Sequence, residues 1–169
     1  MTDPGKKIDK RNVADVIGLT AMQEGMLFHY LSSPGSKQYF EQFRFDLSGP
    51  VDPGLFERAW SVTAKNNPML RAVVRWERLE EPVQIVLKEK NIPIRFEDFS
   101  DDVQKQKRHV DALIEDDRGI PVDLTREPLR ITLCQLAEDK SVMLVSFHHI
   151  LFDGWSSGLL LQEFFTYYN

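Results

Sequence analysis

Apolar positions along this chain change period several times, and each change marks an element. Thr20-Ala21-Met22-Gln23 has the form of a capping box, in which the Thr20 hydroxyl accepts from the Gln23 amide and the Gln23 side chain reaches back. Met22, Met26, Leu27 and Tyr30 follow at helical spacing and predict an apolar stripe turned toward a core. Ser32-Ser33-Pro34-Gly35-Ser36 reads as a loop, and Tyr39 to Leu47 alternates as a strand does. Asp52-Pro53 opens a second helix, with an acceptor at the cap and a proline in the first turn, where its missing amide costs nothing. That helix should run to about Lys65 and stop before Pro68.

Met69 to Trp76, Val83 to Leu87 and Ile94 to Phe96 read as strands separated by acidic or proline-containing turns. Asp101 or Asp102 is expected to cap a third helix that continues to about Asp117, with Val103, Val110, Leu113 and Ile114 as its thin buried face. Leu129 to Leu136 and Ser141 to Phe147 form a hairpin-like pair around Ala137-Glu138-Asp139-Lys140, and Ser156 to Tyr168 closes the chain as a helix. Strands in runs with helices between them predict an α/β fold, a two-layer sandwich with a mixed sheet, rather than a regular parallel βαβ series.

Chemistry concentrates at the end of the last strand. The run Val142-Met143-Leu144-Val145 leads into Phe147-His148-His149-Ile150-Leu151-Phe152-Asp153-Gly154, after which a helical pattern begins near Trp155. Adjacent strand residues point to opposite faces, so His148 and His149 cannot both aim into one cavity while the chain stays extended. The spacing from His149 to Asp153 would align both on a helix, but the β-rich run before it and Gly154 after it favour a strand followed by a tight turn. In that geometry Asp153 acts as an orienting or structural anion. The spacing alone also fits a hydrogen-bonded core histidine; a metal site fits it less well, because opposite strand faces converge poorly on one ion.

Composition narrows the partners. The 169 residues are 42% apolar and 28% charged, which describes an ordinary globular domain or lobe. A net charge of -5 argues against nucleic acid or an anionic membrane as the main partner, since both call for a basic face. Cys134 is the single cysteine and lies in an apolar run, which predicts a buried, inert thiol and suits a reducing cytoplasm. Met1 to Arg11 are polar and lack the apolar stretch of a signal peptide; residues 1–15 read as a polar lead or docking segment and 16–169 as the lobe.

His148-His149-Ile150-Leu151-Phe152-Asp153-Gly154, continued by Trp155-Ser156, resembles the HHxxxDG signature of the condensation domains of non-ribosomal peptide synthetases, which belong to the chloramphenicol acetyltransferase-like superfamily. Two upstream segments are similar to further motifs of that family: Leu19 to His29 to the opening motif, and Asn67-Pro68-Met69-Leu70-Arg71 to the arginine-centred second one. Three motifs in order are far more specific than one. Ala21 stands where relatives often carry proline, and Ala72-Val73 follow Arg71 where threonine or serine is common, which blurs subtype rather than membership.

The resemblance implies one lobe, the N-terminal one, of the two-lobed acetyltransferase-like fold, with the C-terminal lobe missing. It implies amide formation between a donor acyl thioester and an acceptor aminoacyl thioester. Both arrive on the phosphopantetheine arms of donor and acceptor peptidyl carrier proteins, so no metal and no directly bound cofactor is expected. His149 is then the residue that contacts the reacting amine, as general base or as orienting partner. His148 supports the strand end, and Gly154 lets the backbone approach the reacting centre and offers its amide to developing negative charge. Asp153 and Arg71 are expected to form a buried ion pair. Two other readings stand beside this one. A non-catalytic module would dock carrier proteins or a second copy of itself; an epimerisation-type domain would share the histidine core. Separately, the polar lead that begins at Met1 is a place where a docking segment of an upstream synthetase could bind.

Overall fold

The computed structural model describes residues 8–101 and 103–169. Two sheets organise these residues. The smaller has the order β1-β4-β3, from β1 (Val13–Gly18), β3 (Ala72–Arg75) and β4 (Val83–Leu87), all antiparallel. The larger runs β2-β7-β6-β5, from β2 (Phe40–Ser48), β5 (Ile94–Asp98), β6 (Leu129–Ala137) and β7 (Lys140–His148). Its β5–β6 pair is parallel and its other pairs antiparallel, so the sheet is mixed, as the element pattern predicts.

Among the described residues four helices complete the fold: α1 (Ala21–Ser32), α2 (Pro53–Asn66), α3 (Gln106–Gly119) and α4 (Gly154–Tyr168). The first two start where the sequence places them. Thr20 and Gln23 form the reciprocal capping box, and Asp52 accepts from Leu55 N–H at 2.7 Å with Pro53 in the first turn.

β7 sits second in its sheet and is buried along nearly its whole length, with alternate residues serving two cores. Met143, Val145 and Phe147 face α2 and α4, where Phe164 stacks on Trp60 at 4.5 Å and meets Phe56 edge-on at 5.1 Å. Val142 and Leu144 face α3 through Val110 and Leu113, with Cys134 beside them. Cys134 is fully buried, and desolvation pushes its thiol up to about 12, in keeping with an inert residue.

Several local expectations change. β1 begins at Val13, so the expected boundary after residue 15 falls inside a strand; residues 1–7 of the expected lead lie outside the described residues. Five of the six residues of β1 are exposed and its partner β4 lies about seventy positions away, so no local pattern announced it. Met22 is 72% exposed, and the buried face of α1 rests on Met26 and Leu27. Asn67-Pro68 starts a 3-10 turn, Pro68–Arg71, which shortens the strand expected from Met69 to Ala72–Arg75. Asp101 lies in a turn and α3 begins only at Gln106 with Lys105 at its cap; Asp102 is outside the described residues.

Across the α3 face of the large sheet, Gln42, Ser146 and Arg130 stand in register on β2, β7 and β6. Asp117 of α3 binds all three: Arg130 Nε at 2.6 Å, Gln42 Nε2 at 2.7 Å and Ser146 Oγ at 2.5 Å. The carboxylate is 6% exposed and fully engaged, the condition under which a buried charge is tolerable. The other charged residues of α3, Lys107, Arg108, Asp111, Glu115, Asp116 and Arg118, are exposed; Asp117 is the exception that fastens the helix to the sheet.

Candidate active site

β7 carries the histidine pair to the sheet end, and the chain then turns. His148 N–H donates to Pro128 C=O at 3.0 Å and His149 N–H to Tyr39 C=O at 2.8 Å, so the ladder extends one residue past the strand. Leu151 N–H returns to His148 C=O at 3.1 Å and closes a tight turn. Ile150, Leu151 and Phe152 all point into the core, where Phe152 stacks on Phe147 at 4.3 Å. The three apolar spacers of the motif are therefore the anchor of the turn. This is the strand followed by a turn that the sequence favours, not a helix.

The two histidines part as the pleat requires. His148 is 2% exposed, and its Nδ1 accepts from Ile150 N–H at 3.1 Å, which leaves the proton of a neutral ring on Nε2. Tyr30 meets the ring edge-on at 5.8 Å. Burial, with a smaller contribution from the neighbouring His149, depresses its pKa to about 4. The ring is therefore neutral at physiological pH. It also lines a cleft of about 360 Å³ whose walls include Tyr30, Phe40, Trp76, Arg118 and Val122. His149 is not part of that cleft. It is half-buried, with its Nδ1 enclosed and without a hydrogen-bond partner among the described residues.

Asp153 ends the turn as the cap of α4. Its carboxylate is exposed and accepts from Ser156 N–H at 2.9 Å, and that bond, with a smaller contribution from His149, holds its pKa below the ordinary carboxylate value. Gly154 is the first residue of α4, among the amides that a helix leaves without an internal carbonyl partner and at the positive end of its dipole. A Cβ added at Gly154 meets nothing within 4 Å, so the lobe itself places no steric demand on that position.

The expected Asp153–Arg71 ion pair does not form. Arg71 Nε donates to Ala64 C=O at 2.9 Å, and its Nη1 donates to Leu87 C=O and, at 3.1 Å, to Lys88 C=O. The guanidinium thus satisfies carbonyls at the end of α2 and the end of β4, tying the helix to the small sheet. Asp153 stays at the exposed start of α4. Each charge has a local backbone duty that the opposite signs alone could not foretell.

Sequence reading had no spatial role for one further residue. Gln23, already engaged in the α1 capping box, donates its Nε2 to Ile150 C=O at 2.9 Å across the lobe, into the turn directly after His149. Two signals in the sequence single it out, the spacing of the capping box and its place in the Leu19 to His29 segment that resembles the family's opening motif.

A lobe with a mixed sheet, flanking helices and a histidine turn at the end of its most buried strand is of the chloramphenicol acetyltransferase-like class. The starter condensation domain of rhizomide synthetase superposes with a TM-score of 0.80 at 19% identity, over 89% of this chain and 38% of that one. A four-domain nonribosomal peptide synthetase bound to AMP and glycine gives 0.81 at 21% identity, over 98% of this chain and 12% of that one. Both likenesses show the fold.

Membership follows from sequence. The condensation domain family model matches residues 13–169, and the chain belongs to that family, the condensation domains of non-ribosomal peptide synthetases. Tyrocidine synthase 2 of Brevibacillus parabrevis is 35% identical over 162 residues, and bacitracin synthase 3 of Bacillus licheniformis is 34% identical over 158. The matches cover 94% and 92% of this chain but only 4% and 2% of those relatives. Among the described residues no helix is long and apolar enough to cross a membrane.

Proposed function

We propose that this lobe supplies the histidine side of an amide-forming condensation site, completed by a C-terminal lobe. The observation that carries the reading is the division of labour in the pair: His148 is locked into the core and neutral, while His149 is half-buried at the head of the turn. Beside the turn lie the first amides of α4, Gly154 included.

In this reading a carrier-bound aminoacyl amine attacks the carbonyl of a donor thioester. The C–N bond forms, the C–S bond breaks, and the proton lost by the amine leaves with the thiol. His149 binds the amine and takes or orients its proton, while Gly154 N–H faces the carbonyl oxygen as charge gathers there. The phosphopantetheine arms belong to donor and acceptor carrier proteins and enter as substrates. A cytoplasmic setting belongs to the same proposal, as does the inactivity of the lobe without its second half.

The test is an amide-forming assay in a complete domain that carries this lobe, with His149→Ala against the parent. Loss of product with an unchanged melting temperature supports the role; full activity removes His149 from the mechanism.

Exposed apolar side chains favour a second reading, a docking or self-associating module. Trp155 and Leu159, 89% and 68% exposed, lie one turn apart on α4 beside the site. Light scattering across a concentration series discriminates: a monomer that binds no carrier protein by calorimetry dismisses it.

A further inference from the structure

We infer that Gln23 is a positioning residue for His149, an inference that rests on the amide-forming reading of the site. The main-chain donors of the histidine turn are accounted for: His149 N–H goes to Tyr39, Ile150 N–H to the His148 ring and Leu151 N–H to His148 C=O. The Ile150 carbonyl, one residue beyond His149, points the other way and accepts from Gln23 Nε2 at 2.9 Å. This bond joins positions 127 residues apart in sequence. It brings the start of α1 against the turn.

The carboxamide is held in one orientation. Its Oε1 accepts from Thr20 N–H at 3.0 Å and from Gln84 Nε2 at 3.1 Å, so a flipped amide would set its NH2 group against two donors. Gln84 lies on β4 of the small sheet and Ile150 follows β7 of the large one. One side chain therefore links the cap of α1, the small sheet and the histidine turn. Apolar anchoring by Ile150, Leu151 and Phe152 fixes the depth of the turn, while the directional bond from Gln23 fixes its rotation, and with it the direction of the His149 ring.

Gln23→Glu separates this role from helix capping. Glutamate at the same position still accepts from Thr20 N–H and completes a capping box, so α1 keeps its start. What is lost is the donor to Ile150, replaced by an oxygen that repels the carbonyl. On the 169-residue chain, amide hydrogen exchange at His149 and Leu151 is expected to accelerate about tenfold, the scale of one hydrogen bond lost plus a mismatched oxygen, while Leu27 within α1 stays within about twofold. The ring nitrogen signals of His149 should shift, and those of His29 should not.

In the amide-forming assay the same substitution is expected to lower kcat ten- to a hundredfold with KM for the acceptor unchanged. Unchanged exchange and ring signals, or parental kcat in a domain that His149→Ala inactivates, overturns the positioning role. Full activity of His149→Ala overturns the underlying reading of the site instead, so the two failures are distinct.

Discussion

Acidification should destabilise this lobe through His148 before it protonates the described carboxylates whose pKa values lie below the ordinary range. In the unfolded chain the imidazole takes up a proton near its ordinary value of 6.5, whereas in the folded lobe it stays neutral down to about 4. Above the unfolded value both states are neutral and the full contribution to stability is present. Between about 6.5 and 4 only the unfolded state binds the proton, so stability falls with pH through that window and loses nothing further from this group below it. The separation corresponds to roughly 3 kcal/mol in all, of which about 2 to 3 kcal/mol is lost between pH 7 and pH 4.5.

His148→Asn isolates the effect. Its side-chain oxygen can stand where Nδ1 accepts the Ile150 amide, and it does not titrate. Urea unfolding of both proteins at pH 7 and pH 4.5 gives the difference of interest, with all other titrations common to the two. Asp98 and Asp153, whose carboxyls lie below their ordinary value, fall outside most of the window. The variant should start less stable at pH 7, from lost packing against Tyr30, and lose about 2 kcal/mol less than the parent on acidification. Equal losses within about half a kcal/mol would show that the ring protonates in place, and the assignment of His148 as a buried neutral support would be wrong.

Three other substitutions or reactions test the rest of the picture. Asp117→Ala leaves Arg130 in a site where its side chain is 15% exposed and strips Gln42 and Ser146 of their shared acceptor, so thermal unfolding should occur roughly 10 °C lower, in line with a cost of about 3 to 5 kcal/mol; a change under 2 °C would mean the cluster is dispensable. Asp153→Ala removes one helix cap and should cost about 1 kcal/mol in urea unfolding, whereas a loss of 3 to 5 kcal/mol would reinstate the ion pair with Arg71. Cys134, fully buried with its thiol pushed up to about 12, should resist iodoacetamide at pH 7.5 in the folded protein and react at once in denaturant, a contrast read by mass spectrometry; equal labelling in both states would refute its burial.

Which of these residues could be foreseen depends on how local their partners are. Thr20 with Gln23, and Asp52 with Pro53, answer to neighbours within four positions, and their helices begin where the spacing says. β7 was legible because its apolar run is continuous. β1 was not, because its residues are largely exposed and its partner strand is remote, so neither face burial nor a turn signal marked it. The start of α3 misled for a related reason: Asp101 has the right chemistry for a cap, yet it lies in a turn and the helix begins only at Gln106.

At the site the same distinction separates the histidines from their supports. Pleat geometry alone sends the side chains of His148 and His149 to opposite faces, and the structure places the first in the core and leaves the second half-buried. The resemblance suggested joining Arg71 to Asp153 and their opposite charges permitted it, yet main-chain carbonyls at helix and strand ends compete for a guanidinium, and a free first turn of a helix competes for a carboxylate; both competitors lie nearer and win. Gln23 shows the converse. A capping box accounts for it fully from sequence, and only the fold reveals that its remaining donor reaches Ile150. A polar side chain with a complete local explanation can still have one hydrogen-bonding atom left over, and in this lobe that atom bonds the turn that carries His149.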